Sequence, residues 1–172
     1  TPQFLSKFDA AIFLNVTGDV FNDEQKKAFE NWYLQGGGWL GIHAAGDGSH
    51  IEWSWYMEHL VGATFTAHTM GPQFQEAKVV NEMSGHPVMA NLPLDWKHVE
   101  EWYSWDTNPR KKGFSVFASI DEASYSPREK VFFRDRDLSM GDHPVVWGKC
   151  LGSGKSVYVA MGHKSEVYDS NQ

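Results

Sequence analysis

The stretch FDAAIFLNVTGDVFNDEQKKAFENWYLQGGGWLGIHA, Phe8 to Ala44, has the pattern of a strand–helix–strand crossover. Its first part, Phe8 to Thr17, is a short and nearly continuous apolar run, which is typical of a strand covered on both faces. Its middle part has Asn22 followed three residues later by Gln25, the spacing of a helix capping box. Gly36 to Gly38 end this helix before the next apolar run. The short connections predict a parallel sheet and an α/β fold.

Beyond Ala44 the chain adds a short helix, several extended pieces and a C-terminal hairpin. Trp53 to Gly62 has the pattern of a short helix with a glycine stop. His143 to His163 has the pattern of two strands joined by the glycine-rich turn LGSGK. Because the sequence contains neither a repeat of fixed period nor a linker rich in Pro, Gly or Ser, we predict a single domain over residues 1–172. The expected architecture is a mostly parallel sheet flanked by helices.

The composition limits the classes of partner. The 172 residues carry 22 acidic and 15 basic side chains, a net charge of −7, and the longest basic run is Arg110 to Lys112. We therefore expect neither nucleic acid nor an anionic membrane as a partner. The apolar runs stay well short of the about 20 residues that a membrane span needs. Because Cys150 is the single cysteine, the sequence offers neither an internal disulfide nor a cysteine-based zinc site, and it leaves the compartment open.

Several chemically active side chains follow predicted strands. Asn15 ends the first strand, His43 ends the second, and His163 ends the last. In open α/β sheets ligands bind beyond the carboxyl ends of the strands, so we expect these residues at one edge, with Glu101 near them. A lone histidine at a strand end is also explained by a hydrogen bond to a backbone carbonyl. The presence of a second histidine and a carboxylate favours acid–base catalysis by His43, His163 and Glu101.

The same edge offers donors for a divalent metal. His143 begins a strand, and if that strand is antiparallel to the core its start lies at the same edge. Imidazole suits zinc, copper, iron and nickel, so we predict a metal site at His43, His143 and His163, with His68 or Glu101 as substitutes. Acid–base chemistry without a metal is the alternative, because hydrogen-bond donors can also hold a developing oxyanion.

The aromatic residues suggest a sugar. Eight tryptophans in 172 residues are hard to bury completely, because each must also satisfy its indole N–H. Some of them fill the core, and those that follow the His43 turn or the glutamate pair are placed to stack on a sugar ring. The predicted sugar-binding residues are Asn15, Asp47, Trp53, Trp55, Tyr56 and Trp102.

The chain resembles a known family over nearly its whole length and in collinear order. The segments that carry the resemblance are FLNVTGDVFNDEQKKAFENWYLQGGGWLGIHAAGD, WSWYMEHLVGATFTAH, HPVMANLP, EEWYSWDTNPR, MGDHPVVW and GKSVYVAMGH. They resemble the trehalose-utilisation (ThuA-like) family, most specifically in G-I-H-A-A and the later M-G-H. The resemblance implies a flavodoxin-like α/β fold of the class I glutamine-amidotransferase-like superfamily, and a link to disaccharide or keto-sugar catabolism.

The sequence departs from that pattern in two places. In the wider superfamily a nucleophilic cysteine stands at the strand-to-helix turn, where this chain has His43, so glutamine hydrolysis through a thioester is not expected. Family members also carry a strand, a helix and a strand before the piece that resembles FDAAIFLN, whereas only Thr1 to Lys7 precede it here. We therefore expect either a fragment of a longer chain or an ordered part that begins late.

Three functions remain open from the sequence. The first is a lyase, isomerase or hydrolase of keto-glycosides, in which His43 or His163 is the base and Glu101 or a metal stabilises the enediolate. The second is a non-catalytic carbohydrate-binding domain, in which aromatic residues stack on a glycan. The third is a scaffold in a homo-oligomer or a larger parent chain, in which those aromatic residues form an interface.

Overall fold

The computed structural model describes residues 1–169, which form a central sheet with helices and two small hairpin-like sheets around it. The described strands are β1 Ala10–Leu14, β2 Gly38–Ile42, β3 Phe65–His68, β4 Gln75–Asn81, β5 Asp95–Glu100, β6 Tyr103–Trp105, β7 Ser115–Asp121, β8 Arg128–Val131, β9 Arg134–Asp137, β10 His143–Leu151 and β11 Gly154–Val159. The α-helices of the same range are α1 Pro2–Leu5, α2 Asp23–Leu34 and α3 Ser54–Tyr56, and α3 continues into a π-helical turn over Met57–Val61.

The central sheet confirms the predicted fold class. Within residues 1–169 it has seven strands in the order β1-β2-β11-β10-β7-β4-β5. β1, β2 and β11 are parallel neighbours, and each further pairing is antiparallel. Five of these seven described strands therefore point the same way, and β10 and β4 point the opposite way. The predicted C-terminal hairpin is β10–β11, which closes at the pair Leu151 and Gly154.

The helix α2 forms where the sequence predicts it. The side chain of Asn22 accepts a hydrogen bond from the backbone N–H of Gln25, and the Gln25 side chain accepts one from the Asn22 N–H, each 2.9 Å long. The helix buries Phe29 and Tyr33, and Phe29 packs against Phe13 of β1. Among the described residues, none of the helices combines the length and the apolar character that a membrane crossing requires.

The two faces of the sheet are covered differently. Side chains alternate along a strand, so Trp39 and Tyr158 point toward the side of α2 and are buried there. Leu40 and Val159 point to the other side, where an open apolar groove runs past Trp96. The apolar interior therefore lies mainly between the sheet and the α2 side.

A cluster of aromatic rings occupies that interior. Trp147 of β10 is fully buried, and its indole N–H donates a 2.7 Å hydrogen bond to the carbonyl of Val61. Trp105 packs edge-on against Trp147 with ring centres 5.2 Å apart. Within residues 1–169 the indole N–H of Trp105 is buried without a hydrogen-bond partner. Trp105 and Trp147 are thus similarly buried, but only the indole N–H of Trp147 has a hydrogen-bond partner.

This difference gives a stability prediction. Trp147→Phe leaves the Val61 carbonyl unpaired in the core, whereas Trp105→Phe removes an N–H that is already unpaired. An unsatisfied buried group costs about 1–3 kcal/mol, so Trp147→Phe should lower the free energy of unfolding by at least about 1 kcal/mol more than Trp105→Phe. Urea denaturation of both variants measures this difference, and equal losses would contradict the assigned hydrogen bond.

Candidate functional site

Two parallel strands bring the site together. Ile42 at the end of β2 is paired with Val159 at the end of β11, so the residues that follow each strand lie at the same edge of the sheet. His43 directly follows β2 and has a φ of 48°, a left-handed conformation that few non-glycine residues adopt. The hydroxyl of Tyr158 donates a 2.7 Å hydrogen bond to the His43 carbonyl and holds this turn.

The imidazole of His43 has a fixed orientation. Its Nδ1 lies 2.9 Å from the carbonyl oxygen of Ala160. A carbonyl can only accept, so Nδ1 carries a hydrogen and donates it. The other nitrogen, Nε2, is thereby turned toward Glu101 Oε2 at 3.2 Å and His163 Nδ1 at 3.0 Å. The bond to Ala160 is the one expected of a core histidine, but Nε2 faces two further active groups.

These three side chains form a compact group, called the His–Glu–His cluster below. His163 Nδ1 lies 3.1 Å from Glu101 Oε2, so the three facing atoms form a nearly equilateral triangle. Their ligand atoms all lie within 4.8 Å of one another. The side chains of His43 and Glu101 are almost fully buried, whereas 39% of the His163 side chain is exposed. The cluster therefore has two buried members and one member open to solvent.

The carboxylate of Glu101 is strongly held in its ionised form. Its second oxygen, Oε1, accepts a hydrogen bond from Gln73 Nε2 and lies 3.4 Å from His68 Nε2. Burial alone would raise the pKa of Glu101, but hydrogen bonds from His43 and Gln73 outweigh it and lower the pKa to about 2. The ring of Tyr103 packs against His43 with centres 4.2 Å apart, and burial raises the pKa of its phenol, so that it stays neutral.

The neighbouring Glu100 points the other way and binds the backbone. Its carboxylate accepts hydrogen bonds from the N–H of Gly162 at 2.5 Å and from the N–H of Glu101 at 2.8 Å. Burial disfavours the charge, yet the contacts to His98 and to these amides leave the pKa of Glu100 below its usual value. Glu100 thus positions the segment that carries His163.

The predicted polar residues Asn15 and Asp47 lie near the cluster and hold its loops. Asn15 donates from Nδ2 to the Gly162 carbonyl at 2.9 Å and accepts from the Ala44 N–H at 3.2 Å, so it ties the loops after β2 and β11 together. Asp47 accepts from the Thr17 hydroxyl at 2.9 Å and forms a turn with the following residues. Both side chains have internal partners.

Three of the four predicted sugar-binding aromatics, Trp53, Tyr56 and Trp102, lie in the core, which corrects that expectation for them. Trp53 and Tyr56 are buried, and their polar atoms bond to Glu30 and to the Ala45 carbonyl. Trp102 is also buried, and its indole N–H donates to the Gln75 carbonyl.

Trp55 is half-buried and packs against this interior. Its ring centre lies 5.6 Å from that of Tyr33 and 6.4 Å from that of Trp53. Burial therefore places Trp53, Tyr56 and Trp102 where a sugar cannot stack on them, whereas sugar binding by Trp55 stays a prediction.

The open side of the cluster has other residues beside it. Phe74 packs edge-on against His163 at 5.1 Å, and Lys164 Nζ lies 3.8 Å from the centre of the Phe74 ring. Phe74 and Gln73 belong to an irregular loop that no sequence pattern links to the site. Tyr103 could have been found, because alternation in EEWYSW places it on the same side as Glu101.

His143 stands apart from the cluster, which corrects the predicted metal set. It is fully buried, its Nε2 donates to the Tyr103 carbonyl at 2.8 Å, and its Nδ1 donates to Glu122 Oε1 at 2.8 Å. β10 does begin at the expected edge, but both ring nitrogens are engaged there. Glu122 also accepts from the N–H groups of Met140 and Gly141. These contacts make Glu122 and His143 a structural clamp.

The chemistry available at the cluster is of two kinds. Two imidazoles beside an ionised carboxylate can accept and deliver protons near neutral pH. The same two nitrogens and one oxygen are also a common donor set for a divalent transition-metal ion. The donors present at the cluster are His43, Glu101 and His163, with His68 next to Glu101.

Comparisons with known proteins agree with this fold. The family model described as ThuA, trehalose utilisation, matches residues 1–172. A solved ThuA-like protein from Bacteroides uniformis has 26% sequence identity and a TM-score of 0.78, with 99% of this chain and 66% of that chain covered. A ThuA-like protein from Parabacteroides merdae has 17% identity and a TM-score of 0.68, with 94% and 62% covered.

A more distant structure shares the fold as well. A cytoplasmic protein from Salmonella typhimurium has 15% identity and a TM-score of 0.61, with 96% of this chain and 65% of that chain covered. The chain thus spans less than two thirds of the length of each of these three structures. A comparison with curated proteins returns no match.

The Glu122 clamp gives a pH prediction. Burial would raise the pKa of Glu122, but the hydrogen bonds from His143, Met140 and Gly141 lower it from 4.5 to about 2. A pKa that folding lowers stabilises the folded state above the unfolded value, and this contribution is lost as the pH falls from about 4.5 to about 2. Glu122→Gln should therefore be less stable than the wild type above pH 5, and the gap should close toward pH 2. Thermal unfolding across this range measures the gap, and a gap of constant size would contradict the clamp.

Proposed function

The chain belongs to the ThuA family of trehalose-utilisation proteins, and from this premise we propose that it is a sugar-catabolic enzyme that removes a proton next to the carbonyl of an oxidised disaccharide or keto-glycoside. The observation that carries this proposal is the His–Glu–His cluster at the carboxyl edge of the parallel strands. Ligands of open α/β sheets bind at this edge. The family name supports a sugar, and the cluster supplies groups that move protons.

His163 is the member of the cluster placed to meet a substrate. Its side chain is partly exposed, whereas His43 and Glu101 lie behind it. Its Nδ1 lies 3.1 Å from Glu101 Oε2, so the carboxylate holds the orientation of the imidazole. His163 therefore acts as the base, and Glu101 is a positioning residue.

The role of Glu101 differs from the one expected from its sequence position. Its low pKa means that it is an anion at neutral pH. An anion repels a developing enediolate, so the carboxylate stabilises the imidazole and leaves the oxyanion to a different group. Gln73, which bonds to Glu101, and Lys164, which lies over the Phe74 ring, carry N–H donors that could serve the oxyanion.

The proposed reaction needs neither an oxidant nor a reductant, because it moves only protons and electron pairs of the substrate. The imidazole accepts the proton from the carbon next to the carbonyl, and the electron pair of the broken C–H bond moves to form the enediolate. Return of the proton to the neighbouring carbon, with movement of the hydroxyl proton from one oxygen to the other, completes an isomerisation. Expulsion of the glycosidic oxygen from the carbon β to the carbonyl, with delivery of the proton from the imidazole to that oxygen, completes a β-elimination, the reaction of a lyase.

Deuterium exchange tests the proposal directly. In D2O the wild type should exchange the C–H next to the carbonyl of a keto-glycoside, which NMR follows without knowledge of the final product. General-base catalysis contributes about 10²–10⁴-fold, so His163→Gln should slow the exchange by at least about 100-fold. The control variant is His59→Gln, a half-buried histidine outside the cluster, which should exchange at the wild-type rate.

The outcomes separate an enzyme from a binding domain. Sugar binding seen by tryptophan fluorescence, without exchange or turnover in the wild type, would identify a non-catalytic carbohydrate-binding domain. Equal exchange in His163→Gln and the wild type would remove His163 from the chemistry.

A further inference from the structure

We propose that the His–Glu–His cluster is the binding site of one divalent transition-metal ion, held by His43 Nε2, His163 Nδ1 and Glu101 Oε2. This inference rests on the proposed function in one respect, which is that the ion would occupy the site to which that function is assigned. Its evidence is the geometry of three donor atoms whose separations are 3.0, 3.1 and 3.2 Å.

The triangle has the size that a metal site requires. Zinc binds nitrogen and carboxylate oxygen at about 2.0–2.2 Å, and a point about 2.1 Å from all three atoms lies about 1 Å outside their plane. Three protein ligands on one side of the ion leave its other side free, which is the arrangement of catalytic rather than structural zinc sites. The free side faces solvent in the direction of the partly exposed His163.

The orientation of the His43 ring favours the same use of the triangle. Nδ1 of His43 is bonded to the Ala160 carbonyl, so Nε2 is the ring nitrogen that faces Glu101 and His163. All three facing atoms are of types that bind a divalent transition-metal ion.

The residues around the cluster act as outer partners of the ligands. A metal-bound histidine usually donates its second ring N–H to a carbonyl or carboxylate, and His43 donates to Ala160 in this way. The oxygen of Glu101 that lies outside the triangle is held by Gln73 and approached by His68. The orientations of His43 and Glu101 are therefore fixed before an ion arrives.

A bound ion would complete the charge balance of the proposed chemistry. It would supply the positive charge that an enediolate needs and that Glu101 cannot give. His43, Glu101 and His163 would hold the ion, and the ion would supply Lewis-acid stabilisation of the developing enediolate.

Metal binding can be measured without any substrate. The protein is stripped with a chelator and titrated with Zn²⁺ by calorimetry, and with Co²⁺ by visible absorbance, which reports nitrogen and oxygen ligands. We expect one ion per chain, with binding at least tenfold weaker in His163→Gln and in Glu101→Gln. The control is His59→Gln, which should bind as the wild type does. Because His163 is partly exposed, His163→Gln should keep the wild-type unfolding temperature.

Failure of this inference and failure of the proposed function give different results. Absence of stoichiometric binding, or binding that both cluster variants retain, overturns the metal site, and deuterium exchange by the stripped protein would then leave the acid–base function standing. One ion per chain that both variants lose supports the site, even when no keto-glycoside is turned over.

Discussion

The hydrogen bond from His43 Nδ1 to the carbonyl of Ala160 joins the ends of two neighbouring parallel strands. It fixes the orientation of the ring, and it therefore turns the other nitrogen, Nε2, toward Glu101 and His163. The bond exists because β2 and β11 are paired in register up to Ile42 and Val159. The pairing of β2 with β11 therefore determines how the imidazole of His43 is placed in the cluster.

Tyr158 connects this edge to the aromatic interior. Its ring packs against Trp147 at 4.7 Å, whereas its hydroxyl reaches the His43 carbonyl. A Cβ on Gly46 would lie 2.6 Å from the Tyr158 hydroxyl, so the turn after His43 closes on this ring and has no room for a larger residue. Packing of the core and placement of the cluster are consequently coupled, and a repacked core would move the imidazole as well as lower stability.

The sequence predicts those features that depend on local signals or on strand order. The capping box at Asn22 defines a helix, and the strand-end rule brings His43 to the edge where His163 lies. The direction of individual side chains is a different matter. β10 has register shifts after Pro144, so the position of His143 at the strand start does not tell where its ring points. The tryptophans were unpredictable for a related reason, since apolar character indicates burial but not which cavity the ring fills.

Glu100 and Glu101 are identical in chemistry and adjacent in the chain, yet they cannot exchange places. One carboxylate receives main-chain N–H groups, and the other meets side chains. Because side-chain direction reverses from one residue to the next, a residue inserted between Glu100 and Glu101 would turn the second carboxylate away from the histidines. The direct adjacency of the two glutamates is therefore as necessary to the cluster as their chemistry.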